Sequence, residues 1–235
     1  MFRGFVYRYF LNYWEKALKK KYIESQDRGV SAPDERQLEY LFAFKHISSI
    51  YPPEILDVGT GLSPWPALLN YCGYNVTAID EINNYWGSRM HNPHYFIIQE
   101  NITNPKMDRK FELITCISTL EHIPKHNEAV KGMFKLLKNR GVLILTFPYN
   151  KKRYVENVYK LAKTGYGKDF QYICQIFSRA EVDLWLSENP GKIIEQEYYE
   201  AYTGDLWTLG KRLYPVKKVS EDEKHHLTAI LIQKE

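Results

Sequence analysis

The chain has 235 residues, of which 44% are hydrophobic and 26% are charged. This length and composition fit one sizeable globular domain with a full hydrophobic core and leave little room for a second one. The formal net charge of +4 is mild and mixed, so the lysine clusters are interpreted as solvated faces and no clear nucleic-acid partner is expected.

The three cysteines, Cys72, Cys116 and Cys174, are far apart and form no CxxC pair. They predict neither a disulfide framework nor a zinc site, and reduced cysteines fit a cytoplasmic protein. No segment is apolar enough to span a bilayer. His225 and His226 are adjacent, so in a strand their rings point to opposite faces and a shared metal ion is not expected.

Residues 1–22 alternate aromatic and basic side chains but lack the apolar core and cleavage site of a secretory signal. Their helical spacing predicts an amphipathic helix that packs onto the domain or folds over its pocket, with membrane-surface contact as the alternative. A second helix is predicted from about residue 34 to Pro52. We therefore assign residues 1–50 to an N-terminal helical extension or lid and residues 51–235 to the main domain.

From residue 54 onward, short apolar runs alternate with helical segments, which predicts strands joined by helices in a mostly parallel sheet. The predicted strands are 55–58, 75–79, 95–98, 111–117 and 142–147, with helices at 66–72 and 128–137. Residues 154–163 are also predicted to be helical, and Ser178 with Glu181 has the spacing of a capping box. Two late strands, 193–202 and 226–232, are expected to pair as an antiparallel end of the sheet.

The strongest chemical signal runs from Glu54 to Ser63, where a strand enters a turn containing Gly59 and Gly61 and a helix follows. Glycine lets the backbone approach a ligand without obstruction by a Cβ atom. Because open α/β sheets bind ligands at the carboxyl ends of their strands, we expect a nucleoside-containing cofactor here. Asp80 ends the next strand, where a carboxylate can accept both hydroxyls of a ribose.

Two features favour S-adenosylmethionine (SAM) over a dinucleotide at this turn. A dinucleotide site uses a third glycine and binds pyrophosphate at the helix N-terminus, whereas Ser63 and Pro64 occupy that region here. Asp57 lies within the turn, and its carboxylate would repel pyrophosphate but attract the ammonium and sulfonium groups of SAM. A nicotinamide-dependent dehydrogenase is the alternative enzyme on the same fold.

The segment Asp57-Val-Gly59-Thr-Gly61 resembles the first motif of class I SAM-dependent methyltransferases. Further similar motifs follow in the family's order, namely Gln99-Glu-Asn101-Ile102-Thr, Ile117-Ser118-Thr-Leu-Glu121-His122-Ile123 and Gly141-Val-Leu-Ile-Leu-Thr-Phe-Pro148. The resemblance covers about residues 35–148 in good register and residues 177–186 more loosely. It departs from the family at the third glycine, where the turn with Ser63 is similar to a variant in methyltransferases of small molecules and glycans.

The resemblance implies a Rossmann-like α/β fold with a seven-stranded, mostly parallel sheet, an antiparallel C-terminal strand pair and helices on both faces. It also implies SAM as the cofactor and S-adenosyl-L-homocysteine as the product. Asn101 replaces the commoner aspartate, and its amide oxygen can still accept a bond from the adenine amino group. The cofactor-binding residues implied are Asp57, Gly59, Thr60, Gly61, Asp80, Glu81, Ile82, Asn101, Ile102 and Ser118. Each has a structural alternative as a turn, loop or capping residue; for Asn101 it is an Asx-turn.

His122 is the candidate catalytic base, because it follows the fourth strand and an ordinary histidine pKa of about 6.5 suits proton transfer near neutral pH. The alternative is that Glu121 and His122 only shape the loop beneath the cofactor. Tyr149 is a candidate substrate-binding residue, with a surface aromatic as the alternative. Glu35 and Arg36 could reach the cofactor's carboxylate or form a surface ion pair.

These observations predict methyl transfer from SAM to oxygen or nitrogen of a small-molecule or sugar/glycan acceptor. Residues 198–214 are expected to form a wall of the acceptor pocket. An RNA methyltransferase is the alternative by substrate class, although no added basic RNA-binding module is visible. A non-catalytic binding subunit with the same fold is the remaining alternative.

Overall fold

The computed structural model describes residues 34–50, 53–81, 92–165, 167–168 and 172–235. The amphipathic helix predicted within residues 1–22 lies outside these described residues. The helices are α1 (Arg36–Ile47), α2 (Trp65–Tyr71), α3 (His126–Leu136) and α4 (Arg179–Glu188). The strands are β1 (Glu54–Val58), β2 (Asn75–Asp80), β3 (Ile97–Gln99), β4 (Phe111–Ile117), β5 (Leu137–Pro148), β6 (Gly191–Tyr202), β7 (Arg212–Val219) and β8 (Leu227–Lys234).

The strands form one sheet in the order β3-β2-β1-β4-β5-β8-β6-β7. Strands β1 to β5 pair in parallel, β8 runs antiparallel to both β5 and β6, and β7 runs antiparallel to β6. The predicted Rossmann-like sheet and the antiparallel pairing of the two late strands are therefore confirmed. The carboxyl ends of β1 to β5 and of β6 lie along one edge of this sheet.

The predicted count of seven strands misses one, because the connection between the two late strands contains β7. This strand lies at the edge of the sheet. It includes Pro215, Lys217 and Lys218, which weaken the strand signal in the sequence. Proline and lysine are tolerated in an edge strand, since one side of its backbone needs no partner strand.

The helix predicted at 154–163 is wrong, since this stretch contains only a single 3-10 turn, Val158–Lys160. Apart from this turn, its backbone groups bond to another part of the chain. The amides of Val155 and Ile176 each donate to the other's carbonyl at 2.9 Å, and the Val158 amide donates to the Cys174 carbonyl at 2.8 Å. Tertiary pairing has overridden the local helical preference.

The predicted capping box at the start of α4 is confirmed. The Ser178 hydroxyl accepts from the Ala180 amide at 3.2 Å, and the Glu181 carboxylate accepts from the Ser178 amide at 2.8 Å. These two bonds satisfy amides that the first helical turn leaves without partners.

Helices cover both faces of the sheet, as predicted. Residues of α1 and α2 pack on one face together with Ile144 of β5. Residues of α3 and α4 pack on the other face together with Leu143 and Leu145, because neighbouring strand residues point to opposite sides. The domain boundary at residue 50 stays a prediction. No helix among the described residues has the length and apolar character needed to cross a membrane.

Candidate active site

A cavity of about 380 Å³ lies at the carboxyl ends of β1 and β2, beside the loop that follows β4. This volume is in the range of small-molecule sites, which span roughly 300–1,000 Å³. Its walls combine apolar side chains with several carboxylates. Six residues that the sequence predicted for the site line it: Gly59, Asp80, Glu81, Asn101, Ile102 and His122. Ile82 lies outside the described residues.

The glycine turn after β1 is in direct contact with the loop after β4. Gly59 has φ +74° and Gly61 has φ +54°, conformations that L-residues with a Cβ atom rarely adopt. The Thr119 hydroxyl donates to the Gly59 carbonyl at 2.9 Å. A Cβ atom built on Gly59 would lie 1.9 Å from Cγ2 of Thr119, so the two residues are in close contact. Sequence reasoning did not identify Thr119 as a contact of this turn.

Gly59→Ala is expected to destabilise the protein more than Gly73→Ala. Both glycines have positive φ, but a Cβ atom on Gly73 meets nothing within 4 Å. Gly73→Ala should therefore cost only the backbone strain of about 1–2 kcal/mol. Gly59→Ala should lose about 1–3 kcal/mol of stability beyond this backbone strain, because the new methyl group clashes with Thr119. Urea unfolding of both variants measures the difference, and equal losses would show that Thr119 moves aside freely.

Asp57 lies beneath the turn and is not among the residues that line the cavity. It is 3% exposed, and its two carboxylate oxygens accept from the hydroxyls of Thr60 at 2.6 Å and Thr115 at 2.8 Å. Burial raises its pKa to about 6 despite these two bonds. Asp57 and Thr60 thus hold the turn in place, which is the structural role considered as the alternative for the aspartate. Direct contact between Asp57 and the cofactor's ammonium group stays a prediction.

Asp80 lies on the cavity wall beside the turn, because β2 pairs in parallel with β1. Its carboxylate accepts from the Gly61 amide at 2.7 Å. Burial raises the pKa of this carboxyl above its ordinary value, although the amides of Gly61 and Glu81 oppose the shift. Next to it, Glu81 accepts from the Gln99 amide group at 2.8 Å, which joins the ends of β2 and β3.

Asn101 lines the cavity and also forms the Asx-turn considered as its alternative. Its side-chain oxygen accepts from the Thr103 amide at 2.9 Å and from the Thr103 hydroxyl at 2.7 Å. These donors fix which end of the amide is oxygen, so the NH₂ group is the part of this side chain that could still bond to a ligand. The expected bond from an adenine amino group to this oxygen is thereby disfavoured.

Ser118 faces α1, where it belongs to a buried polar network. Its hydroxyl and that of Thr146 each donate to the same oxygen of Glu39 at 2.6 Å. Arg36 donates to the other oxygen of Glu39 at 2.9 Å. Glu39 is fully buried and was missed by sequence reasoning. A readable signal existed, since it lies three residues before Phe42 on the apolar stripe of α1.

Arg36 lies at the carboxyl end of β4, with Nη1 3.5 Å from the Ile117 carbonyl. Its side chain as a whole is 40% exposed, although Arg36 is not among the residues that line the cavity. A surface ion pair was considered between Glu35 and Arg36, but Arg36 pairs with Glu39 of the same helix. Glu35 pairs instead with Arg212 of β7, which connects α1 to the edge strand of the sheet.

His122 is held in its neutral form at the end of a 3-10 turn, Leu120–His122. Its Nδ1 lies 2.7 Å from the Ile173 carbonyl, so this nitrogen carries the proton and donates. Burial lowers the pKa of the ring to about 4. A group of this pKa accepts protons poorly near neutral pH, and its role as a base stays a prediction that this environment does not favour.

Tyr149 is buried, which excludes the surface position considered for it, and it does not line the cavity. Its ring stacks on His225 with centroids 5.5 Å apart. It follows Leu145 and Phe147 at a spacing of two, so it shares their face of the sheet beneath α4. Residues 198–214 likewise place Tyr202 and Trp207 in the core and form no part of this cavity's wall.

A sequence profile of the methyltransferase domain family matches residues 22–191 of the chain. The chain belongs to this family, and its fold is that of the class I SAM-dependent methyltransferases. It is similar to a ubiquinone biosynthesis O-methyltransferase from Rickettsia bellii, with 28% identity over 116 residues, 47% of this chain and 48% of that protein. The chain thus matches about half the length of these curated relatives.

Solved structures share the fold at low sequence identity. A SAM-dependent methyltransferase from Methanosarcina mazei superposes with a TM-score of 0.56 and 20% identity, covering 81% of this chain and 96% of that one. An N-methyltransferase from Bradyrhizobium japonicum, in complex with S-adenosyl-L-homocysteine, has a TM-score of 0.53 and 13% identity, covering 88% and 91%. At these identities the likeness establishes the fold alone.

Proposed function

We propose that this protein transfers a methyl group from SAM to a small-molecule acceptor. The observation that carries the proposal is the cavity at the carboxyl ends of β1 and β2, with the Asp80 carboxylate beside the Gly61 amide. In an open α/β sheet this is where nucleoside ligands bind. When bound, SAM supplies an electrophilic methyl carbon on a cationic sulfur.

The residues of the cavity fit the nucleoside half of SAM. Asp80 ends β2 on the wall and offers a carboxylate to a ribose diol. Ile79, Ile102 and Ile123 provide apolar surface for a flat adenine ring. The NH₂ group of Asn101 would donate to a ring nitrogen of adenine, since its oxygen is already bonded to Thr103.

The methionine half of SAM would lie along the contact between Gly59 and Thr119. Arg36 stands at the end of β4 with a partly exposed side chain, and we assign its guanidinium to the cofactor's carboxylate. Asp57 contributes negative charge beneath the turn, where it favours a cationic ligand without touching the cavity. These residues bind and orient the reactant, and the apolar walls exclude water.

The acceptor is proposed to be a small molecule that carries a hydroxyl group. The curated relatives are O-methyltransferases by name, which favours oxygen as the acceptor atom. Incubation of cell extracts with isotopically labelled SAM, followed by mass spectrometry, would identify the acceptor. A labelled methyl ether of a phenol or other alcohol would support this assignment, and labelled N-methyl amines alone would contradict it.

Asp80→Ala is expected to weaken SAM binding about 10- to 100-fold, because it removes a charge-assisted contact with the ribose, typically worth ~1.5–3 kcal/mol. Isothermal titration of SAM and S-adenosyl-L-homocysteine into both proteins measures the effect. Asp222→Ala is the matched control, since the side chain of Asp222 is 94% exposed and lies far along the chain from the turn. Well-folded wild-type protein that binds neither ligand would refute the proposed function.

A further inference from the structure

The part of the cavity wall beyond Asp80 is formed by the loop that follows β3. Four residues of this loop line the cavity: Glu100, Asn101, Ile102 and Thr103. Because β3 pairs with β2 on the side away from β1, this loop lies further along the sheet edge from the glycine turn than Asp80 does. If the ribose lies at Asp80, the base of the nucleoside therefore lies against this loop.

The side-chain acceptors at this end of the cavity are already bonded to protein donors. One carboxylate oxygen of Glu100 accepts from the Asn101 amide at 3.0 Å, and the other accepts from the Met107 amide at 3.1 Å. Glu81 accepts from the side chain at the end of β3 at 2.8 Å. The side-chain oxygen of Asn101 accepts two bonds from Thr103, so neither of its two lone pairs remains for a ligand.

The backbone carbonyls of the same loop also have protein contacts. The Asn101 carbonyl accepts from the Asn104 amide at 3.0 Å. The Ile102 carbonyl packs closely against α3, where a Cβ atom built on Gly132 would lie 1.8 Å from its oxygen. Neither carbonyl is therefore available to accept a bond from a base in the cavity.

The loop after β4 contributes Ile123, Pro124 and Lys125 to the cavity. The Ile123 carbonyl accepts from the side-chain amide of Gln175 at 2.9 Å. Proline has no amide hydrogen, and the lysine side chain ends in an ammonium group that only donates. These three residues therefore add apolar surface and a donor to the cavity, and no acceptor side chain.

Purine bases differ in the group that they present at position 6. Adenine carries an amino group there, which donates, whereas a 6-oxopurine carries a carbonyl oxygen, which accepts, and both kinds of base accept at N7. An asparagine that recognises adenine uses its oxygen for the amino group and its NH₂ group for N7. In Asn101 the oxygen is already bonded to Thr103, so only donors remain, namely its NH₂ group and the ammonium group of Lys125.

We propose that Asn101 recognises the base by donating hydrogen bonds, so that this site does not select the 6-amino group of adenine. The ligand class that it accepts is a purine nucleoside joined to an amino-acid tail, with either an oxygen or an amino group at position 6. This inference rests on the proposed function, because it takes the cavity to be the nucleoside site. It departs from the role that the family resemblance implies for Asn101, which is to accept a bond from that amino group.

Calorimetric titration of S-adenosyl-L-homocysteine and of its deaminated analogue, which has hypoxanthine in place of adenine, tests the inference. We expect the wild type to bind the analogue equally tightly or up to about 10-fold more tightly, the effect of one added neutral hydrogen bond. Asn101→Asp keeps an oxygen for the bonds from Thr103, since aspartate forms the same Asx-turn, and replaces the NH₂ group by a second acceptor. This variant should prefer S-adenosyl-L-homocysteine by about 10- to 100-fold, because a carboxylate accepts from the amino group and repels a 6-oxygen.

Asn104→Asp is the matched control, because it adds the same charge to an exposed side chain of the same loop that does not line the cavity. It should leave the ratio of the two dissociation constants unchanged. A wild-type preference for the adenine ligand, or a ratio that Asn101→Asp does not change, overturns the inference while leaving cofactor binding intact. If the wild type binds neither ligand, the proposed function fails together with the inference. Should Asn101→Asp fail to fold, the wild-type ratio alone decides.

Discussion

Glu121→Gln is expected to stabilise the free protein by ~3–5 kcal/mol at about pH 9 and to have little pH-dependent effect near pH 4. An unfolded glutamate has a pKa of about 4.3, whereas burial raises that of folded Glu121 to about 8. The folded state then binds this proton more tightly than the unfolded state does. Stability from this group is fully present below pH 4 and is lost as the pH rises through 8.

Urea unfolding of wild type and Glu121→Gln at pH 5, 7 and 9, without ligand, tests this expectation. Asp57 has a raised pKa of about 6 in both proteins, so its contribution cancels in the comparison. Glu188→Gln changes an exposed glutamate at the end of α4 and should match the wild type at every pH. If the gap between Glu121→Gln and the wild type stays constant from pH 5 to pH 9, the carboxyl titrates as an ordinary exposed glutamate.

Local patterns predicted the part of the cavity formed by the glycine turn and Asp80. The strand, the turn with Gly59 and Gly61, and the acid at the end of the next strand are short-range signals, and the parallel register of β1 and β2 brings Asp80 to the turn. The same reasoning predicted the α4 capping box. In each case the partners lie close in sequence or at the ends of neighbouring parallel strands.

Long-range partners were the part that local patterns could not predict. Thr119 lies 60 residues from Gly59, and Thr146 lies 107 residues from Glu39. Tyr149 directly follows β5, a position where contact with an acceptor was expected. Because side chains alternate between the two faces of the sheet along β5, Tyr149 lies beneath α4 instead. Which face a side chain takes depends on the register of a whole strand, and a short motif does not contain that information.

Glu39→Ala is expected to cost ~3–5 kcal/mol of folding free energy, the largest loss among the substitutions considered. It leaves the hydroxyls of Ser118 and Thr146 without their acceptor at a buried position, which costs about 1–3 kcal/mol for each group. The ion pair with Arg36 adds less, because that side chain is 40% exposed and water can solvate it.

The isosteric variant Glu39→Gln separates hydrogen bonding from charge. It keeps an oxygen for the two hydroxyls, so it should lose only about 1–2 kcal/mol. Both variants should weaken SAM binding, because Arg36 loses the carboxylate that holds it at the end of β4. Urea unfolding and calorimetric titration of the pair provide the measurements. A loss below about 1 kcal/mol in Glu39→Ala would mean that α1 is not anchored to the sheet edge through this carboxylate, and the assignment of Arg36 to the cofactor's carboxylate would lose its structural support.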